Sequence, residues 1–114
     1  MKKSQAAIRA SLPRMAEFHM ALSDVNRLRI VRILATEKDV TVGELSKRLG
    51  VSQPAVSRHL RILKMIGLMI PERRGNRTIY RIDIPSLEKY RALEEEMYAV
   101  VLEACGTCGP KEAE

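Results

Sequence analysis

Cys105 and Cys108 are the only cysteines among 114 residues, and they stand three positions apart near the end of the chain. Two neighbouring thiolates can chelate a soft, thiophilic ion such as trivalent arsenic, or close a reversible disulfide. Alone they do not complete a tetrahedral zinc site, which wants four ligands, and two cysteines cannot form a disulfide framework. A thioredoxin-type enzyme places such a pair at a helix N-terminus, where the dipole lowers the thiol pKa. Here the pair follows a helical pattern and Glu103, which disfavours the thiolate, so no enzyme is expected. The plain alternative is a pair of inert tail cysteines. His19 is an extra ligand only if its helix packs suitably.

A second set is polar and basic. Ser52, Gln53, Ser57, Arg58 and Arg61 lie on one stretch of helical pattern. Gln can pair bidentately with adenine and Arg with guanine, while short hydroxyls suit backbone or base edges. Ser52 is also a helix cap, whatever else it does. Arg73, Arg74 and Arg77 crowd a turn-rich stretch of five residues. From there they can reach phosphates or a narrow minor groove. The bland reading is a solvated turn. His59 is expected to support the turn or touch a phosphate rather than to bind metal.

The charge distribution favours a polyanion partner. Lys and Arg exceed Asp and Glu by 20 to 14, a net +6. Residues 85–114 carry −4 and residues 1–84 carry +10, while 45–81 hold nine basic residues and a single acid, Glu72. A basic middle beside an acidic end suits a polyanion-binding face on a polar scaffold. With only four aromatics, Phe18, Tyr80, Tyr90 and Tyr98, the chain lacks the stacking platforms of a single-strand binder. A winged helix used only for protein contacts need not carry so much positive charge.

The elements that must position these residues follow from local signals. One domain is expected over 1–114, with 1–10 and 106–114 as flexible ends. Ser11 is placed to cap a first helix, with Pro13 in its first turn. That helix runs to about Leu22 and presents Met15, Phe18, His19 and Leu22 on one face. Ser23 or Asp24 caps a second helix with a stripe of Leu28, Val31, Leu34 and Ala35. Thr41 and Glu44 have capping-box spacing and open a short third helix that stops at Gly50. Only Val51 separates it from Ser52, which caps a fourth helix with Pro54 in its first turn. So tight a junction describes a helix-turn-helix. Leu68–Ile70 and Thr78–Ile82 are expected as two short strands around an Arg73–Arg77 loop. A last helix opens at Pro85-Ser86, and its seam of Tyr90, Leu93, Met97 and Val100 repeats every three or four residues. The fold class is therefore mainly α with a small β-hairpin: a winged helix-turn-helix of four helices, two strands and a fifth helix. Its seam, with Met15, Phe18 and Leu22, is left for a second copy, giving a homodimer.

Residues 28–82 resemble the ArsR/SmtB family of winged-helix repressors. The resemblance lies in "ALSDVNRLRIVRILA", "VGELSKRLGVSQPAVSRHLRILKMIGLM" and "RRGNRTIYRI", and its strongest part is Ser52 to Leu63. It implies a homodimer joined by its first and last helices, seated on double-stranded operator DNA and leaving when an effector binds. By position, Gln53, Ser57 and Arg58 match the base-reading residues and Val42 a groove-facing position. Pro54 stands where many relatives have Ser or Thr.

The sensing positions depart from the family's familiar patterns. A Cys-x-Cys pair at the start of the third helix is missing, since that stretch is Val40 to Glu44. Asp83 is present near the last helix, but residues 84–101 contain no histidine. Cys105 and Cys108 remain, and family members with cysteines near this end respond to arsenicals, or to oxidants or reactive sulfur. No cofactor is expected to be required for DNA binding. A thiol-bound arsenic or other soft metal ion is the expected effector, with a dithiol switch, or no cysteine-dependent effector, as alternatives. Met1-Lys2-Lys3 is not followed by a signal-type apolar region, and Met65 to Ile70 is too short to span a bilayer, so the cytoplasm and no membrane partner are expected.

Overall fold

The computed structural model describes residues 5–106. Its elements are α1 (Gln5–Ala21), α2 (Val25–Thr36), α3 (Val42–Leu49), α4 (Gln53–Met65), β1 (Met69–Arg74), β2 (Arg77–Ile82) and α5 (Ile84–Ala104). This is a winged helix-turn-helix: α2, α3 and α4 folded on each other, an antiparallel hairpin as the wing, and two long helices, α1 and α5, packed together.

Local chemistry accounts for most helix ends. Asp24 caps α2 by accepting from the Arg27 backbone N–H at 3.1 Å. At α3, Thr41 and Glu44 bond each other's backbone in a complete capping box, and Gly50 ends the helix with φ +71°. That left-handed conformation suits a residue without Cβ. Ser52 accepts from Ala55 N–H to start α4, with Pro54 in its first turn.

The structure corrects the start of α1. Ser11 does not cap it; the helix begins at Gln5 and runs through Pro13. An interior proline loses one hydrogen bond and costs about 3 kcal/mol. Burial of Met15, Phe18 and Ala21 on the same helix works against that cost. The described part of residues 1–10 is therefore helical, while most of 106–114 lies outside the described residues.

The core gathers Ile30 from α2, Leu45 from α3, Val56 and Leu63 from α4, and Leu68 before β1, all fully buried. The wing is longer than its apolar pattern predicts. Met69 pairs with Ile82 and Arg74 with Arg77, leaving the two-residue turn Gly75-Asn76. Gly75 takes φ +63° at the first turn position, as a tight hairpin turn requires. Arg73, Arg74 and Arg77 thus belong to strand ends rather than to a loop. Tyr80 N–H also donates to the Val40 carbonyl at 3.3 Å, an isolated bridge joining the wing to the α2–α3 turn.

α5 packs on α1. Phe18 and Tyr90 stack with centroids 4.2 Å apart and planes 15° from parallel. Tyr90 Oη donates to the Ile66 carbonyl at 2.9 Å and accepts from Arg14 at 3.2 Å. No helix among the described residues is long and apolar enough to cross a membrane.

Candidate nucleic-acid interface

α4 is amphipathic by construction. Val56, Leu60 and Leu63 point into the core, which turns Gln53, Ser57 and Arg61, four apart, outward with Arg58 beside them. Those four side chains are exposed and make no hydrogen bond or ion pair among the described residues. Ser52 is also exposed, but its hydroxyl oxygen accepts from Ala55 N–H at 3.2 Å, so capping is its structural role. Val42 is half-buried at the first position of α3. Next to it, a Cβ on Gly43 would lie 3.7 Å from Gln53 Nε2, so the start of α3 abuts the start of α4. The N-terminal turn of α4 adds a positive dipole end to the same surface.

The hairpin register splits the wing's side chains between two faces, because directly opposed residues point the same way. Arg73, Pro71 and Met69 share one face with Thr78, Tyr80 and Ile82. This face turns to α4, where Met69, Pro71 and Tyr80 border a cleft with Ser57, Arg61 and Lys64. Lys64 at this position was missed in the sequence; its place four residues after Leu60 signalled only a helix end. Arg74 and Arg77 share the opposite face with Glu72, Ile79 and Arg81. Arg73 Nε donates to the Gly75 carbonyl at 3.1 Å. Arg74 is bound to two carboxylates, Glu72 at 3.1 Å and Asp39 at 3.4 Å. Of the three arginines, Arg73 and Arg77 carry no ion pair among the described residues.

His59 is half-buried. Arg27 Nη1 lies 3.1 Å from its Nδ1, and because arginine only donates, Nδ1 accepts. Arg27 Nε also donates to the Ala21 carbonyl at 2.6 Å. Arg27 was invisible as a functional residue in the sequence, where it was one more cation.

Of the candidate sensing groups, His19 and Cys105 are among the described residues. His19 Nε2 is 2.9 Å from Glu94 Oε2 across the α1–α5 contact. Cys105 is exposed at the C-terminal end of α5. Cys108 lies outside the described residues. Among the described residues no three of His, Cys, Asp and Glu gather in a metal-binding cluster.

The predicted seam is partly consumed within one chain. Met15, Phe18 and Tyr90 are buried there already, and Leu22, Leu93, Met97 and Val100 are half-buried. Among the described residues, the large apolar side chains that α1 and α5 still expose are Leu12, Met20, Ile84, Tyr98, Val101 and Leu102. α1 and α5 of one chain thus cover part of this amphipathic face themselves.

A family model described as bacterial regulatory protein, arsR family, matches residues 24–69. The arsenical resistance operon repressor of Escherichia coli is 34% identical over 88 residues, covering 70% of this chain and 75% of that protein. The chain belongs to the ArsR family. Another relative, the HTH-type transcriptional regulator Rv2034 of Mycobacterium tuberculosis, is 42% identical over 71 residues, 62% of this chain and 65% of its own length, just under two thirds. An ArsR-like transcriptional regulator from Rhodococcus superposes with a TM-score of 0.70 at 28% identity, over 90% of this chain and 98% of that one. A homodimeric winged helix-turn-helix DNA-binding domain from Mycobacterium bovis gives 0.64 at 26% identity, over 82% of this chain and 87% of that one. This ArsR-family member is a DNA-binding transcriptional regulator and not an enzyme. The family match spans α2, α3 and α4, the helices that hold the exposed α4 surface in place.

Proposed function

We propose that the protein is a cytoplasmic, homodimeric repressor that binds a two-fold symmetric operator and is released by a thiol-directed effector. One observation carries the DNA-binding part: Gln53, Ser57, Arg58 and Arg61 stand exposed and uncommitted on one side of α4, while the other side builds the core. A helix of this kind fits the major groove. Gln53 and Arg58 then meet base edges, Ser57 and Arg61 bases or backbone, and Val42 the groove wall. Ser52 positions the helix, and Arg73 and Arg77 reach phosphates.

The homodimer is supported by apolar side chains still exposed on α1 and α5, and by the homodimeric M. bovis domain of the same fold. Release at Cys105 and Cys108 is supported by the exposure of Cys105 just beyond α5 and by the relative named for arsenical resistance. Trivalent arsenic would form two S–As bonds as two thiol protons leave with two arsenic-bound hydroxyls as water. With peroxide as the oxidant, the alternative step is a disulfide. Either event ties down the end of α5 and, by biasing a dimer that fits DNA poorly, weakens operator binding about 5- to 150-fold.

Fluorescence anisotropy on an operator selected from random duplexes tests the whole reading. Gln53→Ala and Arg58→Ala are each expected to cost about 1–3 kcal/mol and to relax base preference. Specificity left intact by both changes would remove α4 as the reading helix. Cys105→Ser and Cys108→Ser are expected to keep operator affinity and lose release by arsenite or peroxide. Full release in the double variant would place the effector site elsewhere.

A further inference from the structure

Glu72 is the single acid among nine basic residues between 45 and 81, and the fold puts it between two of them. Its Oε2 meets Arg74 Nε at 3.1 Å and its Oε1 meets Arg81 Nε at 3.2 Å. Both carboxylate oxygens are therefore engaged. Arg74 is held a second time, by Asp39 Oδ1 at 3.4 Å. The register explains the cluster: Glu72, Arg74, Arg77 and Arg81 all lie on one face of the hairpin, with Arg74 directly opposite Arg77. Like charges facing each other across a ladder repel, and Glu72 offsets that repulsion.

Exposed ion pairs of this kind add little to stability. Their larger effect is on the charge the wing offers to a polyanion. Arg74 is the last residue of β1, next to the Gly75-Asn76 turn, so it sits at the wing tip with Arg73 and Arg77. Three arginines share that tip, and one of them is already paired with carboxylates. Asp39, the second partner, has φ +57°, a left-handed conformation that Asp and Asn tolerate better than most residues. It stands in the α2–α3 turn, whose neighbour Val40 is bridged to Tyr80 of the wing. The fold thus fixes the carboxylate where Arg74 can reach it.

We propose that Glu72, with Asp39 behind it, is a built-in competitor for phosphate that withholds Arg74 from DNA and limits the wing's sequence-independent attraction to the duplex. The inference rests on the wing meeting the phosphate backbone as set out above. A phosphate drawing Arg74 to itself must displace two carboxylates, and the counterions released per bound wing are correspondingly fewer.

The test is the salt dependence of binding to the operator and to a scrambled duplex, by fluorescence anisotropy, for wild type, Glu72→Gln, Asp39→Asn and Glu72→Gln with Arg74→Gln. Freeing one arginine on each wing steepens the slope of log affinity against log salt by about 0.9 per wing, about 1.8 for the dimer, and tightens both duplexes about 30-fold near 0.15 M salt. Glu72→Gln is expected to show this gain and Asp39→Asn a smaller one, because Asn keeps the turn while losing the charge. The double variant is expected to lose the gain, since Arg74 is its source. An unchanged slope in Glu72→Gln, or a gain that survives Arg74→Gln, overturns the proposal while leaving operator binding in place. Weaker binding in both Glu72→Gln and Asp39→Asn also overturns it, making the carboxylates supports of the wing. No binding by wild type to any duplex overturns the operator reading itself.

Discussion

Arg27 Nη1 lies 3.1 Å from His59 Nδ1, joining the first turn of α2 to the middle of α4. The same guanidinium donates to the Ala21 carbonyl at the end of α1, and the Arg27 backbone N–H donates to the Asp24 cap. One residue thus ties three helices at the point where α4 meets the rest of the fold. Arg27→Ala strips donors from a half-buried imidazole nitrogen and from a helix-terminal carbonyl. The expected loss is about 1–3 kcal/mol of stability, measured by urea denaturation. Hydrogen exchange is expected to quicken in α4 and at the end of α1 together. A loss confined to α2 would show that the link does not couple the helices.

Tyr90 fastens α5 in a comparable way, by ring stacking on Phe18 and by donating to the Ile66 carbonyl after α4. Tyr90→Phe keeps the stack and loses the hydrogen bond, with an expected cost of about 0.5–1.5 kcal/mol. Tyr90→Ala also opens a cavity and is expected to cost about 3–5 kcal/mol. Equal losses in the two variants, read from guanidinium unfolding midpoints, would assign the whole contribution to the hydroxyl.

The homodimer prediction can be tested at residues that one chain leaves exposed. Val101 and Leu102 are exposed within the chain, at 50% and 71%. Charging them should therefore leave the fold alone while burying a charge at any seam formed there. Leu102→Glu and Val101→Glu are expected to give folded monomers, with unchanged circular dichroism and about half the sedimenting mass. A wild-type monomer at micromolar concentration would end the dimer reading.

Acid should loosen the fold for a nameable set of reasons. Backbone N–H bonds hold two carboxylates below their usual range, Glu44 through Thr41 and Asp24 through Arg27. Glu72 is lowered chiefly by its bond from Arg74. A group whose folded pKa is depressed binds its proton more readily in the unfolded chain. Its stabilisation is complete above the ordinary carboxylate pKa and is lost as pH falls through the folded value. The melting temperature is thus expected to drop between about pH 5 and pH 2. Glu44→Gln is expected to lower the melting temperature at neutral pH and to shrink that drop. An identical pH profile in wild type and Glu44→Gln would show that the capping box does not contribute.

The helix-turn-helix is legible before any tertiary contact is known. Asp24, Thr41 with Glu44, Gly50, Ser52 and Pro54 act within four residues of where they stand, so their chemistry is local and their order in the chain is enough. The outward face of α4 was legible for the same reason: Val56, Leu60 and Leu63 define the inner side, and helical periodicity sets the other. Where a local signal competed with packing, it misled. Ser11 and Pro13 look like a helix start, but burial of Met15 and Phe18 against the rest of the molecule carries α1 through them. Tertiary structure alone decided which charges are spent. Arg74 meets Asp39 across 35 positions, Arg27 meets His59 across 32, and His19 meets Glu94 on another helix. Composition counts every arginine equally; only the folded chain brings particular carboxylates and carbonyls within bonding distance, leaving Gln53, Ser57, Arg58 and Arg61 unengaged.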